Sequence, residues 1–104
     1  MTITAESLQA LQEHAREAAA LMKSLANENR LMILCTLIEG EMSVSELNQR
    51  IPLSQSALSQ HLASLREARL VVTRKEAQTV YYRLYGDAAS KVIAVLQSIY
   101  CPTD

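Results

Sequence analysis

Apolar positions along the chain follow first a helical and then a strand-like period. From Ala5 to Leu25 they recur at Leu8, Leu11, Ala15, Ala18, Ala19, Met22 and Leu25, with Gln12, Glu13 and Arg16 between them. This spacing predicts one amphipathic helix. Asn27-Glu28-Asn29 interrupts it. Over Arg30 to Glu39, Leu31, Met32, Ile33, Leu34, Cys35, Leu37 and Ile38 lie nearly all round the helix, which predicts a central, buried element. Gly40 is placed to end it in a left-handed turn.

Ser43-Val44-Ser45-Glu46 has the form of a capping box, in which the Ser43 hydroxyl and the Glu46 carboxylate satisfy free amides at a helix start. Ile51 and Pro52 stop this short helix near Arg50, Leu53 fills the turn, and Ser54 caps a fourth helix running to about Ala68. Two short helices about a tight turn make a helix-turn-helix. Beyond Leu70 the period becomes two. Val80, Tyr82 and Leu84 share one strand face, Tyr81 and Arg83 the other, and Val71 to Lys75 supplies the partner strand. Glu76, Ala77 and Gln78 form the connection, without the Gly or Asn that marks a tight hairpin. Asp87 is expected to cap a last helix reaching about Tyr100, with Val92, Val95, Leu96 and Ile99 along one stripe. The predicted fold is mainly α, with about five helices and one two-stranded β-hairpin. Residues 1–104 read as a single domain, because no repeat, low-complexity tract or linker divides them.

Composition agrees with helices packed by aliphatic side chains: 49% of the 104 residues are hydrophobic, Trp and Phe are absent, and Gly and Pro number two each. A chain this short buries a modest share of its surface, so a partner subunit would help. The formal charge of -1 argues against nucleic-acid binding only until its distribution is read. Between Arg50 and Arg83, six basic residues (Arg50, Arg66, Arg69, Arg74, Lys75 and Arg83) face Glu67 and Glu76, a local +4 that leaves -5 for the remainder. A basic face is what phosphate neutralisation requires, whatever the global charge. No apolar run approaches the roughly 18 residues of a membrane span, and Met1 to Leu11 lacks the regions of a secretory signal, so a cytoplasmic protein without membrane contact is expected. Cys35 and Cys101 are then ordinarily reduced thiols, and a bridge between them would be regulatory.

The helix from Ser54 carries the chemistry of base reading. Leu58, Leu62 and Leu65 define its inward face, while Gln55, Ser56, Ser59, Gln60 and Ala63 make an outer face that is short-chained and uncharged. A solvated helix usually carries Glu and Lys there. Ser and Gln can enter a groove, and a bidentate Gln contact to adenine is worth about 1–3 kcal/mol of discrimination. His61 lies beside the leucine stripe, a place for packing as much as for a phosphate. Arg50, Arg66 and Arg69 flank the helix. Arg74, Lys75, Gln78 and Thr79 lie around the hairpin tip, positioned for phosphates or the minor groove, though solubility alone also accounts for such charges.

The stretch LSQSALSQHLASLR, followed by an arginine-bearing hairpin that ends VYYRL, resembles the ArsR/SmtB family of winged-helix repressors, and the resemblance extends over most of the chain. It implies a homodimer joined through the first and last helices and bound to an imperfect palindrome in double-stranded operator DNA. Many members sense metals through a Cys-Val-Cys element where this chain has Ser43-Val44-Ser45. Others use Asp and His on the last helix, where Asp87 to Cys101 contains no His. Without thiolate or imidazole ligands neither metal site is expected, and no cofactor is implied.

Cys35 and Cys101 instead resemble the pair of a sulfur-responsive subgroup, one on the second helix and one at the end of the last. A thiolate attacks a persulfide or peroxide, and the second thiol resolves the product into a bridge. A direct disulfide needs α-carbons within about 7 Å, so wider thiols would favour a polysulfide bridge. The expected function is a repressor that binds DNA when reduced and is released when Cys35 and Cys101 are bridged, with reactive sulfur species or oxidants as inducer. The alternative is a regulator that raises virulence-gene transcription by displacing a DNA-bound silencer. An enzyme is not expected, since no Cys-x-x-Cys or basic cluster adjoins either thiol.

Overall fold

The computed structural model describes residues 4–101, so both ends of the 1–104 span lie outside it. In chain order the elements are α1 (Ala5–Glu13), α2 (Ala15–Leu25), α3 (Glu28–Leu37), β1 (Met42–Ser43), α4 (Val44–Arg50), α5 (Gln55–Glu67), β2 (Val71–Glu76), β3 (Thr79–Leu84) and α6 (Ala88–Tyr100). The strands form an antiparallel sheet in the order β1-β3-β2. Six helices and three strands thus replace the expected five and two, within the winged helix-turn-helix read from the sequence.

The sixth helix arises because the segment from Ala5 to Leu25 is broken at His14, whose backbone (φ -109°, ψ 15°) leaves the helical region. Apolar periodicity runs through this point, yet the two halves meet different surroundings. Leu25 is buried and Leu21 packs against the core, whereas α1 buries nothing and touches chiefly α2. The third strand is Met42–Ser43, which pairs with Tyr82 and Tyr81 across the chain. A two-residue strand has no period of its own to read.

Helix α3 begins earlier than expected. Asn27 is its N-cap, the side-chain oxygen accepting from the Asn29 and Arg30 amides at 3.0 Å each, so Glu28 and Asn29 belong to the first turn. Arg30 then reaches back, its Nε donating to the Ser24 carbonyl at 2.8 Å, which satisfies the C-terminal end of α2. Gly40 has positive φ as expected, but at +145° it lies far from the left-handed helical value of about +60°.

Ile33, Leu34 and Leu37 of α3, Leu47 of α4, Leu58, Leu62 and Leu65 of α5, Val71 of β2 and Ile93 of α6 form one contiguous core. The face of α6 differs from the expected stripe. Ala89 and Ile93 are buried with Val92 packed beside them, while Val95 and Ile99 are 58% and 59% exposed. Apolar residues lie on more than one side of this helix, so their spacing alone does not say which side the rest of the chain covers. Asp87 occupies the N-cap position without side-chain capping; its carboxylate pairs with Lys91 at 3.0 Å instead.

The hairpin register sets Glu76 opposite Thr79, so Glu76 is strand and only Ala77-Gln78 form the loop. Ala77 takes φ +55°, supplying the positive φ that a two-residue turn demands without glycine. Arg69 is the other such residue, at φ +61°. It closes α5 in a Schellman motif, with the Leu70 amide donating to Leu65 and the Arg69 amide to Arg66 at 2.9 and 3.0 Å. Each left-handed non-glycine residue costs about 1–2 kcal/mol.

Candidate nucleic-acid interface and thiol pair

Helix α5 is held by local chemistry at its start and by burial along its inner side. In α4 the Ser43 hydroxyl accepts from the Glu46 amide at 3.1 Å and the Glu46 carboxylate accepts from the Ser43 amide at 2.9 Å, closing the capping box. Across the turn, Asn48 Nδ2 donates to the Leu53 carbonyl at 2.7 Å and, at 3.5 Å, faces that of Ile51. This amide ties the outgoing end of α4 to the residue before Ser54. Ser54 Oγ then accepts from the Ala57 amide at 3.1 Å and starts α5. Leu58, Leu62 and Leu65 are fully buried, which fixes the rotation of α5 about its axis. Gln55, Ser56, Ser59, Gln60 and Ala63 therefore share the exposed side, and His61 is half-buried.

The hairpin treats its basic residues unequally. Lys75, Gln78 and Thr79 are exposed at and near the tip. Arg74 is engaged: its guanidinium meets the Glu41 carboxylate at 2.7–2.9 Å and the Glu76 carboxylate at 2.7 Å, and it lies 4.7 Å over the Tyr81 ring. Hydrogen bonding from Arg74 holds the Glu41 carboxyl below its usual range, and the two carboxylates raise Arg74 further. Arg50 likewise pairs with Glu39 at 2.7 Å. Arg66 stands at the far end of α5 from Gln55, about 16 Å along the axis by helical rise, and is not gathered with the Ser/Gln face.

Glu41, Tyr81 and Asn48 were not legible as parts of this site. Asn48 alone left a local signal, an amide three residues before a helix-ending Ile51-Pro52. Glu41 comes to Arg74 from 33 residues away, through the β1 and β3 pairing.

Cys35 is half-buried on α3 and Cys101 is exposed at the C-cap of α6, and the two helices pack together. Both thiols are free. Burial first, and the negative charge of a Cys101 thiolate second, push the Cys35 thiol above its ordinary value. The thiolate form is thus disfavoured at the inner thiol. Among the described residues, no three His, Cys, Asp or Glu side chains converge as a metal site would need. No described helix is long and apolar enough to cross a membrane.

Residues 27–73 match the family described as bacterial regulatory protein, arsR family. The chain is 52% identical over 95 residues to the transcriptional activator HlyU of Vibrio cholerae, covering 91% of this chain and 88% of that protein. It is 47% identical over 94 residues to the biofilm growth-associated repressor of Agrobacterium fabrum, covering 90% and 80%. Among solved structures, the transcriptional repressor BigR from Xylella fastidiosa superposes with a TM-score of 0.87 at 40% identity, over 99% of this chain and 100% of that one. Reduced HlyU from Vibrio cholerae gives 0.81 at 52%, over 89% and 98%. These relatives are transcriptional regulators rather than enzymes, and with a helix-turn-helix, a hairpin wing and kinship over nine-tenths of its length, this chain belongs to the arsR family of bacterial regulatory proteins.

Proposed function

We propose that this chain is a cytoplasmic homodimeric repressor that binds operator DNA while its thiols are reduced and leaves it when Cys35 and Cys101 are bridged. Base reading falls to Gln55, Ser56, Ser59 and Gln60, with Lys75, Gln78 and Thr79 at the hairpin tip and His61 and Arg74 in supporting roles; Arg66, expected to join them, stands too far along α5 to do so. Dimerisation uses α1 and α6. Leu8 and Leu11 are 49% and 52% exposed, Val95 and Ile99 more so, and the radius of gyration of 15.5 Å exceeds the roughly 13 Å of a compact chain this long. Such faces stay soluble by covering one another.

The observation that carries the switch is the packing of α3, with half-buried Cys35, against α6, whose C-cap is the exposed Cys101. Exposure makes Cys101 the first to react. Its thiol takes a sulfane sulfur from an organic persulfide, giving Cys101 persulfide and a free organic thiol. Attack by the Cys35 thiol on the Cys101 sulfur then forms the disulfide and releases hydrogen sulfide, so the sulfane sulfur is the species reduced. If both thiols are first persulfidated, their condensation gives a trisulfide and hydrogen sulfide, which spans a wider gap. Helix α3 packs on α5 as well as α6, so a bridge strains the support of the reading helix.

Operator binding by the reduced dimer, by polysulfide-treated dimer and by Cys35→Ser under both conditions tests the switch. Treatment is expected to weaken wild-type binding and leave the variant unchanged; unchanged wild-type affinity would refute the switch. A second reading, activation by displacing a silencer, is favoured by the relative named transcriptional activator HlyU. Reporter transcription with and without a competing DNA-bound protein separates the two.

A further inference from the structure

Behind the reading helix, on the side reached where α5 ends and β2 begins, lies a cleft of about 410 Å³ lined by Arg66, Arg69, Val71, Val72, Thr73 and Tyr85. The chain climbs α5 away from Gln55, turns at Arg69 and descends β2 to the hairpin tip. The cleft is therefore about 16 Å from the start of α5 and about 15 Å from the tip, at the opposite end of both elements. A duplex held by those two ends leaves it open.

Three features describe what the cleft takes. Strand β2 is an edge of the sheet, paired on one side only. The Tyr85 amide donates to the Leu70 carbonyl at 3.0 Å, so by antiparallel alternation the amides and carbonyls of Val71 and Thr73 point outward, into the cleft. Arg66 and Arg69 stand at its rim, and among the described residues neither guanidinium has an ion-pair partner, unlike Arg50 and Arg74. Finally, Arg69 holds a left-handed conformation that glycine adopts without strain, while Arg places a guanidinium there. Tyr85, 55% exposed, adds a ring and a hydroxyl.

We infer that the free edge of β2, with Arg66, Arg69 and Tyr85, is a docking site for an extended acidic segment of a protein partner, which adds a strand to the sheet and sets a carboxylate on the arginine pair. Backbone pairing supplies affinity in this mode and the carboxylate supplies selection. A second copy of β2 is a poor occupant, since two such edges would bring their basic residues together. The site is separate from the DNA face, so partner and operator bind at once.

The test uses the reduced full-length protein and a fluorescein-labelled capped heptapeptide, Glu-Glu-Val-Thr-Val-Thr-Val, followed by anisotropy. Saturable binding is expected. It should weaken at least tenfold when Gln replaces both Glu, and at least tenfold when alternate peptide amides are N-methylated. Arg69→Gly should also weaken it tenfold while raising the thermal unfolding midpoint by a few degrees, so that lost binding cannot reflect lost folding. A saturating operator duplex should leave peptide affinity within twofold. Absence of saturable binding overturns the proposal and leaves the arginines as guards of an edge strand. Equal binding of the N-methylated peptide overturns strand addition, and competition by the duplex assigns the cleft to a DNA phosphate.

Discussion

The outer face of α5 and the outer face of the hairpin are both exposed and polar, yet they differ in how free their side chains are. On α5, Gln55, Ser59 and Gln60 project from a helix whose rotation is fixed by three buried leucines, and their polar groups are open to a groove. On the hairpin, Arg74 is already held by Glu41 and Glu76 and stacked on Tyr81. The comparison teaches that a positive residue near DNA is not the same as a positive charge available to DNA. A phosphate approaching Arg74 must displace two carboxylates, whereas one approaching Lys75 displaces only water and counterions.

Removing the support of the helix gives the largest effect. Leu62→Ala leaves a cavity in the core and should cost about 2–5 kcal/mol of stability, read by denaturant unfolding. A loss below 1 kcal/mol would mean that α5 is not anchored as described. Next comes the helix surface. Gln60→Ala should leave unfolding unchanged and remove about 1–3 kcal/mol of discrimination between operator and mismatched duplexes. Unaltered sequence preference would take Gln60 out of base reading.

The hairpin effects are smaller and sharpen the contrast directly. Lys75→Gln should reduce the slope of log affinity against log salt by about 2 for the dimer, about 1 for each wing, while Arg74→Gln changes it by clearly less. Equal slopes would show that the carboxylates do not withhold Arg74. Because the folded Glu41 pKa is depressed, its contribution to the brace is present above the ordinary carboxylate range and lost only as pH falls through the lowered value. The Glu41 side-chain carboxyl shift should thus move only below the ordinary carboxylate range, and Glu41→Gln should move the wing amide shifts at neutral pH.

The least energetic difference concerns the thiols. Iodoacetamide at neutral pH should label exposed Cys101 before Cys35, whose thiol is partly buried and raised, and the gap should narrow as pH rises through the Cys35 value. Mass spectrometry of the two peptides reads it. Faster labelling of Cys35 would reverse the proposed order of attack.

Much of the fold was legible because it rests on interactions inside a few turns of chain. The Ser43 and Glu46 capping box, the Ser54 cap, the Leu58, Leu62 and Leu65 stripe and the alternation of Val80, Tyr82 and Leu84 each appear as spacings of one to four residues, and the structure keeps them all. A local hydrogen bond or a helical face depends on neighbours the sequence names directly. The bare Ser/Gln face followed from the same stripe.

What only the tertiary structure decided involves groups that meet from far apart. His14 breaks the first helix because its two halves meet different surfaces, and periodicity carries no record of that. Ile93 rather than Val95 turns inward on α6 because α3 lies on that side, a choice left open by a helix with apolar residues on more than one side. Arg74 finds Glu41 through pairing of β1 with β3, and Cys35 feels Cys101 because α3 packs on α6. Sequence determined which polar side chains line the outer face of α5 and that the chain carries two thiols; long-range packing determined which of the charges and thiols are free, because charge pairing and burial act through space rather than along the chain.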